Sequence, residues 1–271
     1  MTPLLTLSVL DALRAAAAAG AASAECSLDL QRSTCRVDLD AAGFWHGGQH
    51  YPWPAVCKDR TVYQWIDGAF EPVSRFSGSL IKLVPTDWGP PTFEIDGIKM
   101  LPTAQVSPYA DAARKVGLIQ PRGKTVLDTC GGLGYFAAHC VAGGAARVLS
   151  YEKNDSVIWL RGLNPWSPRL DAVLSLTHGD ISRLVAKLPD ASVDAILHDP
   201  PRFGIAGELY SQTFYDHLAR VIRRKGRLFH YTGTPNKLTS GRDVPNEVSK
   251  RLRVAGFTPE LNGDGVLAVL R

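Results

Sequence analysis

Residues 124–135 read KTVLDTCGGLGY. Lys124–Thr129 is a short apolar run carrying β-branched residues, the pattern of a strand buried on both faces. It empties into Cys130, Gly131, Gly132, Leu133 and Gly134, and an amphipathic segment starts near Tyr135. Glycine suits such a turn because the backbone must reach angles closed to other residues and approach a ligand closely. The next strand-like run, Arg147–Tyr151, ends in Glu152, 18 residues beyond Gly134. That is near the spacing at which an acidic side chain accepts ribose hydroxyls in nucleotide-binding sheets. A glycine turn alone also fits any tight connection in an α/β protein. Strand, glycine turn, helix, strand and terminal acid in succession are more specific. Asp128 opens the loop, where it would repel a pyrophosphate but suit a ligand bearing an ammonium group.

From about residue 104 onward, strand-like and amphipathic segments alternate: RVLSYE, SVIWLRGL, LSLTHGD, ISRLVAKL, VDAILHDPP, YDHLARVIRR, GRLFHYTG, EVSKRLRVAG and GVLAVLR. This alternation predicts a parallel sheet with helices on both faces, a doubly wound α/β fold. Residues 1–103 have a different texture, with clustered aromatics broken by Gly and Pro. They predict a small α+β domain with antiparallel strands at Thr34–Leu39, Thr61–Ile66 and Gly78–Val84. Its first residues predict a surface helix opened by Ser8 with Asp11. Asp11 and Arg14 interrupt the apolar run, and no basic segment precedes it, so no leader peptide is expected. No stretch of about 18 or more apolar residues occurs, and no membrane span is expected.

The chain has 271 residues, 45% of them hydrophobic and 21% charged, with a net charge of +4. That is an ordinary globular composition, well short of a dedicated nucleic-acid binder. Five cysteines without a C-x-x-C pair favour reduced thiols in the cytoplasm over a disulfide framework or a metal site.

Val193–His198 reads as the fourth strand of the sheet and runs into Asp199, Pro200, Pro201, Arg202 and Phe203. In open α/β sheets the ligand lies beyond the carboxyl ends of the strands, so this loop shares a cleft with the glycine turn. Two prolines fix the backbone and remove N–H donors, leaving carbonyls and a carboxylate. Such a loop suits an amine acceptor, whose N–H groups donate to Asp199 and to the Pro200 carbonyl.

With both loops in hand, the chain resembles the class I S-adenosylmethionine-dependent methyltransferases. It looks closest to a predicted archaeal-type group labelled spermidine-synthase-like. The resemblance rests on FEIDGIKM at 93–100, VLDTC at 126–130, GLGY at 132–135, NPWS at 164–167, HDPPRF at 198–203, ELYSQTFY at 208–215 and LFHYTG at 228–233. It implies a mostly parallel seven-stranded sheet over 104–271, with S-adenosylmethionine as cofactor. It implies that Asp128, Cys130, Gly132 and Gly134 hold the methionine part, although Cys130 replaces a glycine of the usual motif. Glu152 would bind the ribose, and Asp180 would lie beside the adenine amino group or simply cap the helix after it.

Asp199, Pro200 and Arg202 would form the reacting-group loop, with His198 as a proton relay or a core histidine. Phe203, Tyr210, Tyr231 and Trp166 would touch the acceptor, a small molecule or an RNA base. No metal is implied, and an oligomeric partner would be a second copy of the chain. Related loops in carbon-methylating RNA enzymes leave the acceptor atom open. The alternatives are aminopropyl transfer from decarboxylated S-adenosylmethionine and a silent nucleotide-binding module. Arg202 stands where polyamine synthases carry a second Asp, and its guanidinium would repel a polyamine. The first domain would shape acceptor choice. Its aromatics Trp45, Tyr51, Trp53 and Trp65 read either as core or as a stacking surface. Arg220, Arg223, Arg224, Lys225 and Arg227 read either as a solvated helix face and turn or as a phosphate-tracking patch.

Overall fold

The computed structural model describes residues 2–233 and 243–271. The chain divides into two compact units, Met1–Ala110 with Gly162–Trp166, and Asp111–Arg161 with Ser167–Arg271.

The first unit carries helix α1 (Leu7–Ala18) and three small antiparallel sheets. One sheet joins β1 (Leu4–Leu5), β6 (Tyr63–Ile66) and β7 (Ala69–Pro72). A second runs in the order β2 (Ser23–Cys26), β3 (Cys35–Leu39), β4 (Gly43–His46), β5 (Gln49–Pro52). The third is the meander β8 (Ser74–Phe76), β9 (Leu80–Val84), β10 (Thr92–Ile95), β11 (Ile98–Lys99). Helix α1 starts earlier than the Ser8–Asp11 pattern predicts. Thr6 is its N-cap, in extended backbone, and its side chain accepts the Val9 N–H. The cap choice follows burial: Leu5 before the cap and Leu10 in the first turn lie in one core cluster, the arrangement of a hydrophobic staple. Ser8 is exposed.

The aromatics divide by burial. Tyr51 is buried, and Trp53 and Trp65 pack against the same cluster. Phe44 stacks on Tyr51 at 5.2 Å. Only Trp45 of the four stands out, 46% exposed, with its indole N–H donating to Asp40. All five cysteines are free; Cys26 and Cys35 face one another across β2 and β3 with their sulfurs 3.9 Å apart.

The second unit is built on a seven-stranded sheet. Its strands are β12 (Thr125–Asp128), β13 (Arg147–Glu152), β14 (Leu174–His178), β15 (Val193–His198), β16 (Ile222–Tyr231), β17 (Phe257–Asn262) and β18 (Gly265–Leu270). Their order is β14-β13-β12-β15-β16-β18-β17. The first five are parallel, and β18 runs antiparallel to both neighbours. Helices follow in turn: α2 (Pro108–Ile119), α3 (Tyr135–Ala142), α4 (Asp155–Leu163), α5 (Ile181–Leu184), α6 (Gln212–Val221) and α7 (Val244–Val254). This is a doubly wound, Rossmann-like α/β architecture. Val126, Leu127, Val148, Ile196 and Leu197 are fully buried, as strands covered on both faces must be.

From β12 the chain winds outward to β13 and β14, then returns to lay β15 against the other side of β12. The order therefore reverses between β12 and β15, the place where open sheets leave a crevice for ligands.

The basic run lies differently from its reading as a helix face. Only Arg220 is on α6; Arg223, Arg224 and Lys225 sit in an irregularity at the start of β16, where the pairing with β15 slips. Arg220 donates to the Val185 and Leu188 carbonyls, Arg223 pairs with Asp194, and Arg227 donates to the Leu118 carbonyl. Three of the five cations are thus spent on the chain's own acceptors, which removes the continuous phosphate-tracking face. No described helix is long and apolar enough to cross a membrane.

Candidate active site

Asp128 ends β12 and sits opposite Leu197 of β15, so the glycine loop and the Asp199 loop leave neighbouring strands at the reversal point. Asp128 is buried. One carboxylate oxygen accepts the Ser150 hydroxyl at 2.8 Å, and the other has no hydrogen-bond partner. Burial pushes its pKa up to about 6, against the Ser150 hydrogen bond and the Arg161 charge. A buried acceptor without a donor is costly, and an ammonium group would satisfy it.

The glycine loop closes over Arg161 of α4. A Cβ on Gly134 would lie 2.6 Å from the Arg161 guanidinium carbon, and one on Gly131 would lie 2.5 Å from the Ser150 hydroxyl. Gly134 is also left-handed, at φ 84, where it caps α3. Arg161 donates to Ser150 at 3.2 Å and leaves one terminal nitrogen unpaired. Glu152, at the end of β13, reaches back into the loop: its two oxygens accept the Gly132 N–H and the Asn154 N–H, each at 2.9 Å. Burial raises its pKa against those two bonds. Cys130 packs against the core of this unit, and burial holds its thiol protonated.

Asp180 caps α5 by accepting the Ser182 N–H at 3.0 Å, and its other oxygen pairs with Lys153 at 2.9 Å.

The Asp199 loop is held from below. The Tyr210 hydroxyl donates to the Pro201 carbonyl at 3.1 Å, and the Tyr210 ring meets Phe203 edge-on at 5.4 Å. Arg202 is exposed. Burial pushes the Asp199 pKa up to about 6, with the nearby Lys115 ammonium pulling it down.

His198 does not face the cleft. It is fully buried, its Nε2–H donates to the Leu209 carbonyl at 3.1 Å, and Nδ1 lies 2.7 Å from the Thr129 hydroxyl. Burial lowers its pKa to about 4, so the ring stays neutral. With both nitrogens engaged it is a core histidine and has no lone pair for a relay. Beside it, His230 donates from Nδ1 to the Tyr231 carbonyl and accepts the Tyr215 hydroxyl on Nε2 at 3.0 Å. Tyr215→Phe would leave that buried nitrogen without a donor. We expect a loss of about 1–3 kcal/mol in urea unfolding; an unchanged midpoint would remove Tyr215 from this network.

The group that sequence reading missed is Lys115 of α2. It is 1% exposed. Its Nζ lies 2.7 Å from Asp111 and 3.8 Å from both Asp199 and Asp264, and 4.0 Å from the centroid of the Tyr231 ring. A signal was present in DAARKVGLI: Asp111 and Lys115 share the helix face of Ala112, Val116 and Ile119, where a charged pair has to be buried. Trp166 belongs to the first unit, where its indole N–H donates to the Leu30 carbonyl at 2.9 Å. Among the described residues no cluster of His, Cys, Asp and Glu has the geometry to hold a metal ion.

No family model matches the chain. It is 41% identical over 205 residues to the uncharacterized protein MJ1233 of Methanocaldococcus jannaschii, a match that covers 74% of this chain and 70% of the relative. Among solved structures it is similar to a spermidine synthase in complex with the transition-state analogue AdoDATO. There the TM-score is 0.58 and the identity 16%, over 72% of this chain and 71% of the other. The spermidine synthase of Thermotoga maritima gives 0.54 and 17%, over 73% and 71%. MNMC2 from Aquifex aeolicus gives 0.51 and 18%, over 73% and 71%. At these identities the likeness is one of fold.

Proposed function

The chain belongs to the same family as MJ1233 of Methanocaldococcus jannaschii, and for it we propose S-adenosylmethionine-dependent methyl transfer to a nitrogen of its acceptor. The observation that carries this reading is the pairing of a buried acid, Asp128, with a half-buried one, Asp199, at the sheet's reversal point. Asp128 keeps an unpaired oxygen beside the glycine turn, and Asp199 heads a proline-stiffened loop from the next strand.

The residues present fit the cofactor's chemistry. Asp128 would accept its ammonium group. The Glu152 carboxylate accepts backbone N–H groups on both oxygens and, with about four lone pairs in all, keeps acceptor capacity for a ribose hydroxyl. Asp180 has both oxygens engaged, so an adenine contact there would add to its capping role. Bound at this edge, the sulfonium would supply a methyl group to the acceptor's lone pair, with the C–S electron pair leaving on sulfur. The chain's own contribution is orientation. Asp199 accepts the acceptor N–H and then its proton, Pro200 keeps the loop stiff, and Tyr210 fixes it through the Pro201 carbonyl. Holding reactants in line can contribute on the order of 7–11 kcal/mol in favourable cases. Phe203 and Tyr231 would flank the acceptor, and Arg202 would meet an anionic or planar part of it.

Aminopropyl transfer from decarboxylated S-adenosylmethionine is the second reading, favoured by the fold likeness to spermidine synthases. Calorimetry separates the two: the carboxylated cofactor should bind and the decarboxylated form should bind weakly. If neither binds, the enzyme reading fails. The titration carries a second signature. Asp128 titrates near pH 6 in the free chain, and an ammonium beside it would hold it ionised. Cofactor binding at pH 6 should therefore release up to about half a proton, read as a binding heat that varies with the buffer's ionisation enthalpy. A heat independent of buffer would separate Asp128 from the ammonium.

A further inference from the structure

Three carboxylates and an aromatic face converge on one point of the second unit. Asp111 comes from α2, Asp199 from the loop after β15, Asp264 from the turn between β17 and β18, and the Tyr231 ring from the end of β16. This is the surrounding that an alkylammonium ligand seeks: anionic oxygens on several sides and a π face. The point is filled by Lys115. Its ammonium is within 4 Å of all three carboxylates and over the Tyr231 ring, and the Phe136 ring lies 5.8 Å away. Arg114 pairs with Asp111 and Asp264 from outside, at 2.9 and 2.6 Å.

The geometry points to Lys115 as a built-in ammonium that occupies the cation seat beside Asp199 and so reserves the site for an acceptor whose reacting nitrogen is uncharged. Such nitrogens are those of amides, ring systems and aryl amines, as opposed to aliphatic amines and polyamines. The inference rests on the methyltransferase reading and narrows its substrate class. The physical reason is occupancy: the point between the three carboxylates is filled by the Lys115 Nζ, so a second ammonium would have to displace it or sit against a like charge. Lys115 is at the same time a positioning residue. Its charge opposes the burial that would protonate Asp199. Burial alone would discharge Lys115 too, but the charges of Asp199 and Asp111 outweigh it and keep the ammonium.

The test uses thermal unfolding and calorimetry on the full chain, with putrescine and n-propylammonium as probes and sodium chloride as the ionic-strength control. Lys115→Ala removes the equivalent of n-propylammonium from the seat. The wild-type chain should ignore both amines beyond the salt control. Lys115→Ala should melt lower and regain stability with n-propylammonium, binding it about tenfold or more tighter than wild type. Lys115→Met, which refills the volume without charge, should not respond. If Lys115→Ala folds only when the amine is present, that too supports the seat. Saturable putrescine binding by the wild-type chain would overturn the inference, as would a folded Lys115→Ala that is blind to n-propylammonium. Cofactor binding is titrated in the same samples. A chain that binds no S-adenosylmethionine loses the methyltransferase reading, while the ammonium result stands or falls by itself.

Discussion

Asp199→Ala is expected to lower methyl transfer about 10²–10⁴-fold while leaving cofactor affinity nearly unchanged. The separation follows from where the carboxylate lies. Asp128 and Glu152, which would hold the cofactor, stand on β12 and β13, whereas Asp199 heads the neighbouring loop, whose backbone is fixed by its own prolines and by Tyr210. Removing the carboxylate deletes the acceptor of the reacting N–H and the destination of its proton without loosening the loop. The readout is label passed from methyl-labelled cofactor to a cell-extract fraction, beside calorimetry of cofactor binding. Full turnover by the variant would take Asp199 out of the mechanism. The pH dependence has a definite sign. Burial places the Asp199 pKa at about 6, and only the carboxylate can accept a proton. Transfer should therefore be sustained above pH 6 and decline as pH falls through it. Lys115→Met should move that decline to higher pH, because it removes the charge that keeps Asp199 ionised.

Gly134→Ala is expected to abolish cofactor binding and to destabilise the second unit by about 2–5 kcal/mol. Two costs combine. A left-handed residue bearing a side chain loses roughly 1–2 kcal/mol, and overpacking a filled site costs typically about 1–3 kcal/mol. Relaxation is blocked because the new Cβ would meet the middle of the Arg161 guanidinium at 2.6 Å, and that side chain is buried and held by Ser150. The matching control is Gly117→Ala on α2, where a Cβ meets nothing within 4 Å. It should be neutral or stabilising by up to about 1 kcal/mol, since alanine favours the helix. Equal effects of the two substitutions in urea unfolding would show that Arg161 does not brace the loop.

The elements of the second unit were legible because strands buried on both faces appear as short apolar runs between glycine turns. Val193–His198 is a strand over that same span, and Arg147–Glu152 extends the predicted Arg147–Tyr151 by one residue. The Asp180 cap was legible too, since a cap is a local bond between a side chain and the next turn. Features set by partners distant in the chain were not. The start of α1 shifted to Thr6 because Leu5 and Leu10 bury in one cluster with Val37, Phe44 and Tyr63, far along the chain. Arg223 left its expected helix because the slip between β15 and β16 sends it to Asp194.

The order of residues alone established that an acid opens a glycine turn after one strand and that Asp199 with two prolines follows another. These are short-range patterns, complete within a few residues. Only the tertiary structure set what surrounds them. Arg161 braces the glycines from α4, His198 is sealed in the core by Thr129 and Leu209, and Lys115 meets Asp199 and Asp264 across long stretches of chain. Such contacts depend on how strands are ordered and helices packed, and that decides which buried charges compensate one another.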